Sequence, residues 1–253
     1  MSTEPAVPLP RAVLVTGGSS GIGADVARAA AARGWKVWLG YAAGHDRAVQ
    51  LARELGEAGA DVSPVYLPLD DMAALEGGMG RIIEEGPRPQ AAVLCGSPQP
   101  DVRSLLKLTA ESFRHQLQCA VIGNHTLLTQ LWRHCFRSCG GGHVIAVLSA
   151  AQGPQPTPHM ASYVTAKAGL EALLYAAAAE WGAGGLRISL AHPGFVNTPM
   201  LDAFSPLLLE RALGNATRLL RSRDVAAALW QALESPPAPG AVAEILLSFR
   251  KAA

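Results

Sequence analysis

The chain alternates short apolar runs with longer Ala- and Leu-rich stretches from end to end, and a glycine-rich turn joins the first such pair. Ala12-Val-Leu-Val15 runs into Thr16-Gly-Gly-Ser-Ser-Gly-Ile-Gly23, and a helical stretch from Ile22 to Arg33 follows until Gly34 stops it. Apolar runs without in–out alternation read as strands buried on both faces, which is how a parallel sheet covered by helices is written. Six more such runs follow: Lys36 to Leu39, Val62 to Leu69, Ala91 to Leu94, His143 to Leu148, Leu186 to Leu190 and Val242 to Leu247. Helical stretches stand between several of them, from Arg47 to Ala58, from Ala110 to Ser138 with a break, and from Tyr163 to Trp181. Right-handed crossovers then predict one α/β domain over residues 1–253, a doubly wound, mostly parallel sheet of seven strands. Its ligand crevice falls at the carboxyl ends of the strands. Residues 1–10 are expected to form a flexible lead.

A composition that is 49% hydrophobic and 16% charged argues against disorder. The net charge of +1 gives no electrostatic reason to expect a nucleic acid or an acidic membrane surface as partner. No membrane span is legible, and the start of the chain lacks the basic and apolar regions of a secretory signal, so the expected address is the cytoplasm. The cysteines at 95, 119, 135 and 139 form no disulfide framework for a chain of this size. Cys135 and Cys139 lie near His134 and His143 but lack zinc-ligand spacing, and no metal site is expected.

Two groups of residues carry chemistry. Tyr163 and Lys167 are four apart at the start of a helical stretch, so both project from one face. An ammonium beside a phenol favours phenolate, and such a tyrosine can pass a proton to or from a substrate oxygen. Gly17, Gly21 and Gly23, at the first strand-to-helix turn, suit close backbone approach to a pyrophosphate held by helix N–H groups. The second strand ends in Leu39-Gly40-Tyr41 without the carboxylate that would hold an NAD ribose. Arg47 and His45 stand just beyond, and Ser19 and Ser20 offer hydroxyls, so NADP (as NADPH) is the expected cofactor.

With these motifs and Pro193-Gly-Phe-Val-Asn-Thr198, the chain resembles the short-chain dehydrogenase/reductase family from Val13 to about Leu247, most closely its 3-oxoacyl-carrier-protein reductases and related ketoreductases. The resemblance implies a Rossmann fold with Ser149, Tyr163 and Lys167 as catalytic residues: a carbonyl-polarising hydroxyl, a general acid and the lysine that tunes it. It implies cofactor contacts from Thr16, Gly17, Ser19, Ser20, Gly21, Ile22, Gly23, Tyr41, Arg47 and Asp70. Tyr163, Lys167, Pro193, Gly194, Val196 and Thr198 are expected to complete that set. The substrate implied is a small acyl thioester, free or on an acyl carrier protein, beneath an apolar lid at residues 200–222. A dimer or tetramer of like or unlike subunits is implied as well.

The sequence also departs from the family pattern. Leu94-Cys-Gly-Ser97 replaces Asn-Asn-Ala-Gly, and Ala120 stands where the family has an asparagine that holds a relay water behind the lysine. Ser149 precedes Tyr163 by fourteen positions, one more than usual, which places Ser149 only with a one-residue insertion; otherwise Ala150 falls there. The leading expectation is an NADPH-dependent 3-oxoacyl reductase. The alternative is a catalytically weak subunit that supports an active partner.

Overall fold

The computed structural model describes residues 11–154, 156–213 and 219–247. The flexible lead expected at residues 1–10 lies outside them, as does part of the lid, residues 214–218. Seven strands form one sheet in the order β3-β2-β1-β4-β5-β6-β9. They are β1 (Ala12–Thr16), β2 (Lys36–Tyr41), β3 (Val62–Tyr66), β4 (Ala91–Leu94), β5 (Gly142–Val147), β6 (Leu186–Ala191) and β9 (Val242–Ile245). All six pairings are parallel. A two-stranded ribbon, β7 (Val196–Asn197) with β8 (Leu220–Arg221), stands apart. Pro64 is tolerated because β3 is an edge strand, where a missing N–H costs no ladder bond on the outer side.

Strand side chains divide between two apolar layers. Val13 and Val15 pack with Ala27 of α1 (Gly21–Ala31) and Leu51 of α2 (His45–Glu57), and with Leu229 of α8 (Ser222–Glu234). Leu14 faces the other way, toward Met79 of α3 (Met72–Glu85), Leu127 of α5 (Asn124–Leu131) and Leu174 of α6 (Ala161–Trp181). The chain from Ala110 to Cys139 is a single helical run: α4 (Ala110–Leu117), a π-helical turn at Gln118–Gly123, α5, and a second widened turn at Trp132–Phe136. The expected break is therefore a local loosening of the helix.

Three helices escape the sequence reading: α3, the short α7 (Pro206–Leu213) within the expected lid, and α8. In α3, Gly77, Gly78 and Gly80 lower helix propensity, yet Gly78 is needed there: a Cβ would lie 2.3 Å from the Tyr66 carbonyl oxygen. Helix α8 buries Val225, Leu229 and Leu233 against the sheet, a 3.6-residue period that is legible in the sequence.

The strand order reverses between β1 and β4, whose shared neighbourhood is the switch point of the sheet. A cleft opens there at the carboxyl ends of the strands, as a doubly wound sheet requires.

Candidate active site

The first turn of the cleft is built by glycines. Gly17 and Gly21 take left-handed φ values of 63° and 54°, which side chains resist. A Cβ on Gly23 would lie 2.4 Å from the Gly17 carbonyl oxygen. The Thr16 hydroxyl accepts from the Gly96 N–H at 3.0 Å and ties this turn to the end of β4. Ser20 begins α1 without a side-chain cap, so the helix presents free N–H groups to the cleft. This cradle fits a pyrophosphate on steric and electrostatic grounds.

Beside it, Ser19, Gly44 and Arg47 pack together: a Cβ on Gly44 would come within 2.3 Å of the Ser19 hydroxyl and 2.9 Å of the Arg47 guanidinium. Arg47 lines the cleft. Tyr41 does not: its hydroxyl meets the His45 ring nitrogen at 2.8 Å and its ring tilts against Tyr66. The two polar tips satisfy each other, and neither residue lines the cleft. Asp70 and Asp71 also part company. Asp70 faces the cleft, whereas Asp71 caps α3 by accepting from the Ala74 N–H at 3.0 Å.

Tyr163 and Lys167 sit in the first turns of α6 and both are buried. The Lys167 ammonium donates to the Val147 carbonyl at 2.8 Å and lies 5.7 Å from the centre of the Tyr163 ring. Burial pushes the lysine pKa down to about 8, with the neighbouring Cys95 thiol pulling the other way. Burial also raises the Tyr163 pKa, and a hydrogen bond with Ser149 opposes the rise. The expected pull of Lys167 on the phenol does not govern it. Desolvation acts on both groups, raising the phenol and lowering the ammonium.

Ser149, not Ala150, therefore faces Tyr163. The extra residue is absorbed in a short helical turn at Ala150–Gln152, where Ala150 N–H donates to the Pro193 carbonyl at 2.9 Å. That bond fastens the serine loop to Pro193-Gly194, which line the cleft with Val196 and Thr198. Ile22 completes the predicted lining; Tyr41 alone of the predicted set lies outside it.

Ala120 is buried in the π-helical turn, and its carbonyl accepts from the Asn124 amide at 3.0 Å. The Asn124 amide oxygen, buried too, has no partner among the described residues. Cys95, His115 and Cys119 also line the cleft and were missed as site residues. Cys95 marks the end of β4, so its strand position was a usable signal; His115 and Cys119 reach the cleft through a helix register the sequence does not fix. Cys135 and Cys139 do not cluster with His134 or His143. His143 instead meets the Ser189 hydroxyl at 2.9 Å.

The cleft encloses about 740 Å³. Its charged or titratable lining residues are Arg47, Asp70, His115 and Lys167, with the Tyr163 phenol and two thiols. Beyond Tyr163 the wall is apolar, with Met160, Phe195, Met200, Leu201 and Phe204 packed around it. The arrangement can hold a dinucleotide along the glycine turn and offer a hydroxyl and a phenol to an oxygen beside an apolar pocket.

The short chain dehydrogenase family model matches residues 11–206. A cis-4-hydroxycyclohexanecarboxylate dehydrogenase of Sinomonas cyclohexanicum is 31% identical over 231 residues, covering 87% of this chain and 87% of that protein. A 3-oxoacyl-acyl-carrier-protein reductase of Staphylococcus aureus strain Mu50 is 25% identical over 203 residues, 80% of this chain and 81% of that one. Among solved structures, a short chain dehydrogenase from Burkholderia cenocepacia J2315 in complex with NADP aligns with a TM-score of 0.80 at 25% identity. That alignment covers 93% of this chain and 96% of the other.

Proposed function

The chain belongs to the short chain dehydrogenase family of oxidoreductases, and from that premise we propose that it reduces the keto group of a 3-oxoacyl thioester, using NADPH. The observation that carries the reading is the meeting of Ser149, Tyr163 and Lys167 between a glycine cradle and an apolar wall. A bound nicotinamide supplies the hydride. The Ser149 hydroxyl donates to the substrate carbonyl oxygen and polarises it. Tyr163, held near that oxygen by burial, gives up its proton as negative charge develops there. Lys167, anchored on Val147, keeps two further donors for the ribose hydroxyls and for reprotonating the phenol.

NADPH is preferred to NADH in this proposal because β2 ends without an acid and Arg47 stands beside Ser19 at the cleft. A 3-oxoacyl chain, free or on an acyl carrier protein, suits the apolar wall. Among the described residues, no lysine or arginine lines that apolar end. A cytoplasmic oligomer remains part of the proposal. Among the described residues no helix is long and apolar enough to cross a membrane.

Ala120 and Cys95, at positions where the family has asparagines, favour a second reading: a weak subunit that supports an active partner. Purified chain is assayed with NADPH and acetoacetyl-CoA. Steady oxidation of NADPH that Tyr163→Phe abolishes while NADPH still binds supports the enzyme. No turnover alone, with activity only on co-expression of a reductase partner, supports the second reading.

A further inference from the structure

Asp70, His115 and Cys119 present three different ligand atoms within 4.8 Å of one another on the wall of the cleft. His115 and Cys119 are four apart, across the junction of α4 with the π-helical turn, so they share one helix face; Asp70 reaches them from the loop after β3. A single ring nitrogen, Nε2 of His115, faces both partners, with the Asp70 carboxylate at 3.5 Å and the Cys119 sulfur at 3.7 Å. The first distance is long for a direct hydrogen bond. Both match the edges of a tetrahedron around zinc. Bonds of about 2.0–2.3 Å place nitrogen and oxygen about 3.4 Å apart, and nitrogen and sulfur about 3.6 Å apart. The thiol is buried while the other two groups are half-exposed toward the cleft, so the fourth position opens into the cavity.

The other cluster of this kind among the described residues lacks that convergence. His192 turns Nδ1 to Glu244 at 3.0 Å and Nε2 to Glu171 at 3.6 Å, so it bridges two carboxylates through opposite sides of its ring.

We propose that Asp70, His115 and Cys119 form a three-ligand site for a zinc-class divalent cation, and that the bound cation and the dinucleotide exclude one another. The donor set of thiolate, imidazole and carboxylate with one open position selects zinc or cobalt over magnesium or calcium, which take oxygen shells. The exclusion rests on the cofactor reading above, in which Asp70 serves the dinucleotide. Cation binding itself does not.

The test uses untagged full-length protein with ZnCl₂ in calorimetry and CoCl₂ in absorption spectroscopy. One equivalent is expected to bind, with a thiolate-to-cobalt charge-transfer band. Cys119→Ser and His115→Ala should each weaken zinc binding on the order of a hundredfold and remove or shift the band, as loss of a ligand requires. Cys139→Ser, which alters an exposed thiol remote from the cluster, should change neither. Zinc binding unaltered by Cys119→Ser and His115→Ala, or no stoichiometric uptake, overturns the site. NADPH titration of zinc-loaded protein separates the second half. At least a tenfold loss of affinity in the wild type and none in Cys119→Ser supports exclusion, and unchanged wild-type affinity overturns it. If the metal-free protein binds no dinucleotide at all, the cofactor reading falls and the cation titration is judged alone.

Discussion

Two lysines are buried among the described residues, and they lie toward opposite ends of the sheet. Lys36 opens β2 at the amino edge. Its ammonium meets the Asp61 carboxylate, donates to the Ser63 hydroxyl at 2.7 Å and sits 4.6 Å over the Trp38 ring. Lys167 reaches the carboxyl edge from α6, and the hydrogen bond found for it goes to one backbone carbonyl. The first charge is surrounded by groups that satisfy it, and the second keeps donors in reserve while burial drives its pKa to about 8. A lysine placed for the fold and a lysine placed for chemistry differ less in burial than in what is left unpaired.

The largest effect expected of this contrast is on turnover. Lys167→Met should lower kcat by roughly 10²–10⁴, the usual worth of proton-transfer machinery, while Lys36→Met leaves kcat near wild type. The latter strands Asp61, which is two-thirds exposed, and should cost about 1 kcal/mol of stability. Equal losses of turnover in both variants would break the distinction.

The pH dependence of stability sharpens it. The unfolded chain keeps the Lys167 proton up to about 10.5 and the folded chain only up to about 8. Between those values the unfolded state binds more protons, so stability rises with pH, by ~3 kcal/mol at most. His143, buried at the amino end of β5 with its pKa lowered to about 4, gives a second rise between about 4 and 6.5 for the same reason. Denaturant melts from pH 4 to 10.5 should show both, and Lys167→Met should erase the upper rise only. A flat upper limb in the wild type would mean that Lys167 keeps its charge when folded.

How far the sequence reveals all this follows the same division. The sheet, its parallel order and the glycine cradle are legible because they depend on local patterns: apolar runs of strand length, and a turn whose crowding admits no side chain. Tyr163 and Lys167 are legible because a helical period brings them together. Helix α3 was hidden by three glycines, of which Gly78 answers close packing on β3, a tertiary demand that overrides propensity. Only the folded chain shows that the Tyr41 hydroxyl meets His45 and that Tyr41 lies off the cleft lining. Cys119 and His115 depend on the register of a π-helical turn, which no short pattern announces.

A smaller effect is expected where the carboxyl edge meets the proposed cofactor. Arg47→Ala should remove most of a preference for NADPH over NADH of tenfold or more, since a charge-assisted contact is worth ~1.5–3 kcal/mol. Fluorescence titration with both dinucleotides reads it directly. A preference that survives the change would transfer the 2′-phosphate to Ser19 and the helix N-terminus.

The smallest effect divides two neighbouring carboxylates as the larger ones divide the lysines. Asp71 is committed to the backbone, accepting from the Ala74 N–H at the start of α3, whereas Asp70 faces the cleft. Asp71→Ala deletes a helix cap and should cost ~1 kcal/mol in urea melts. It should leave dinucleotide affinity unchanged, because no contact to the cleft is lost. Asp70→Ala should do the reverse, altering affinity with little effect on the melt, since a half-exposed carboxylate at 3.5 Å from His115 adds little to folding. If Asp71→Ala weakens dinucleotide binding and Asp70→Ala does not, the cap and the ligand have exchanged places. The loop after β3 would then have to turn by one residue on binding.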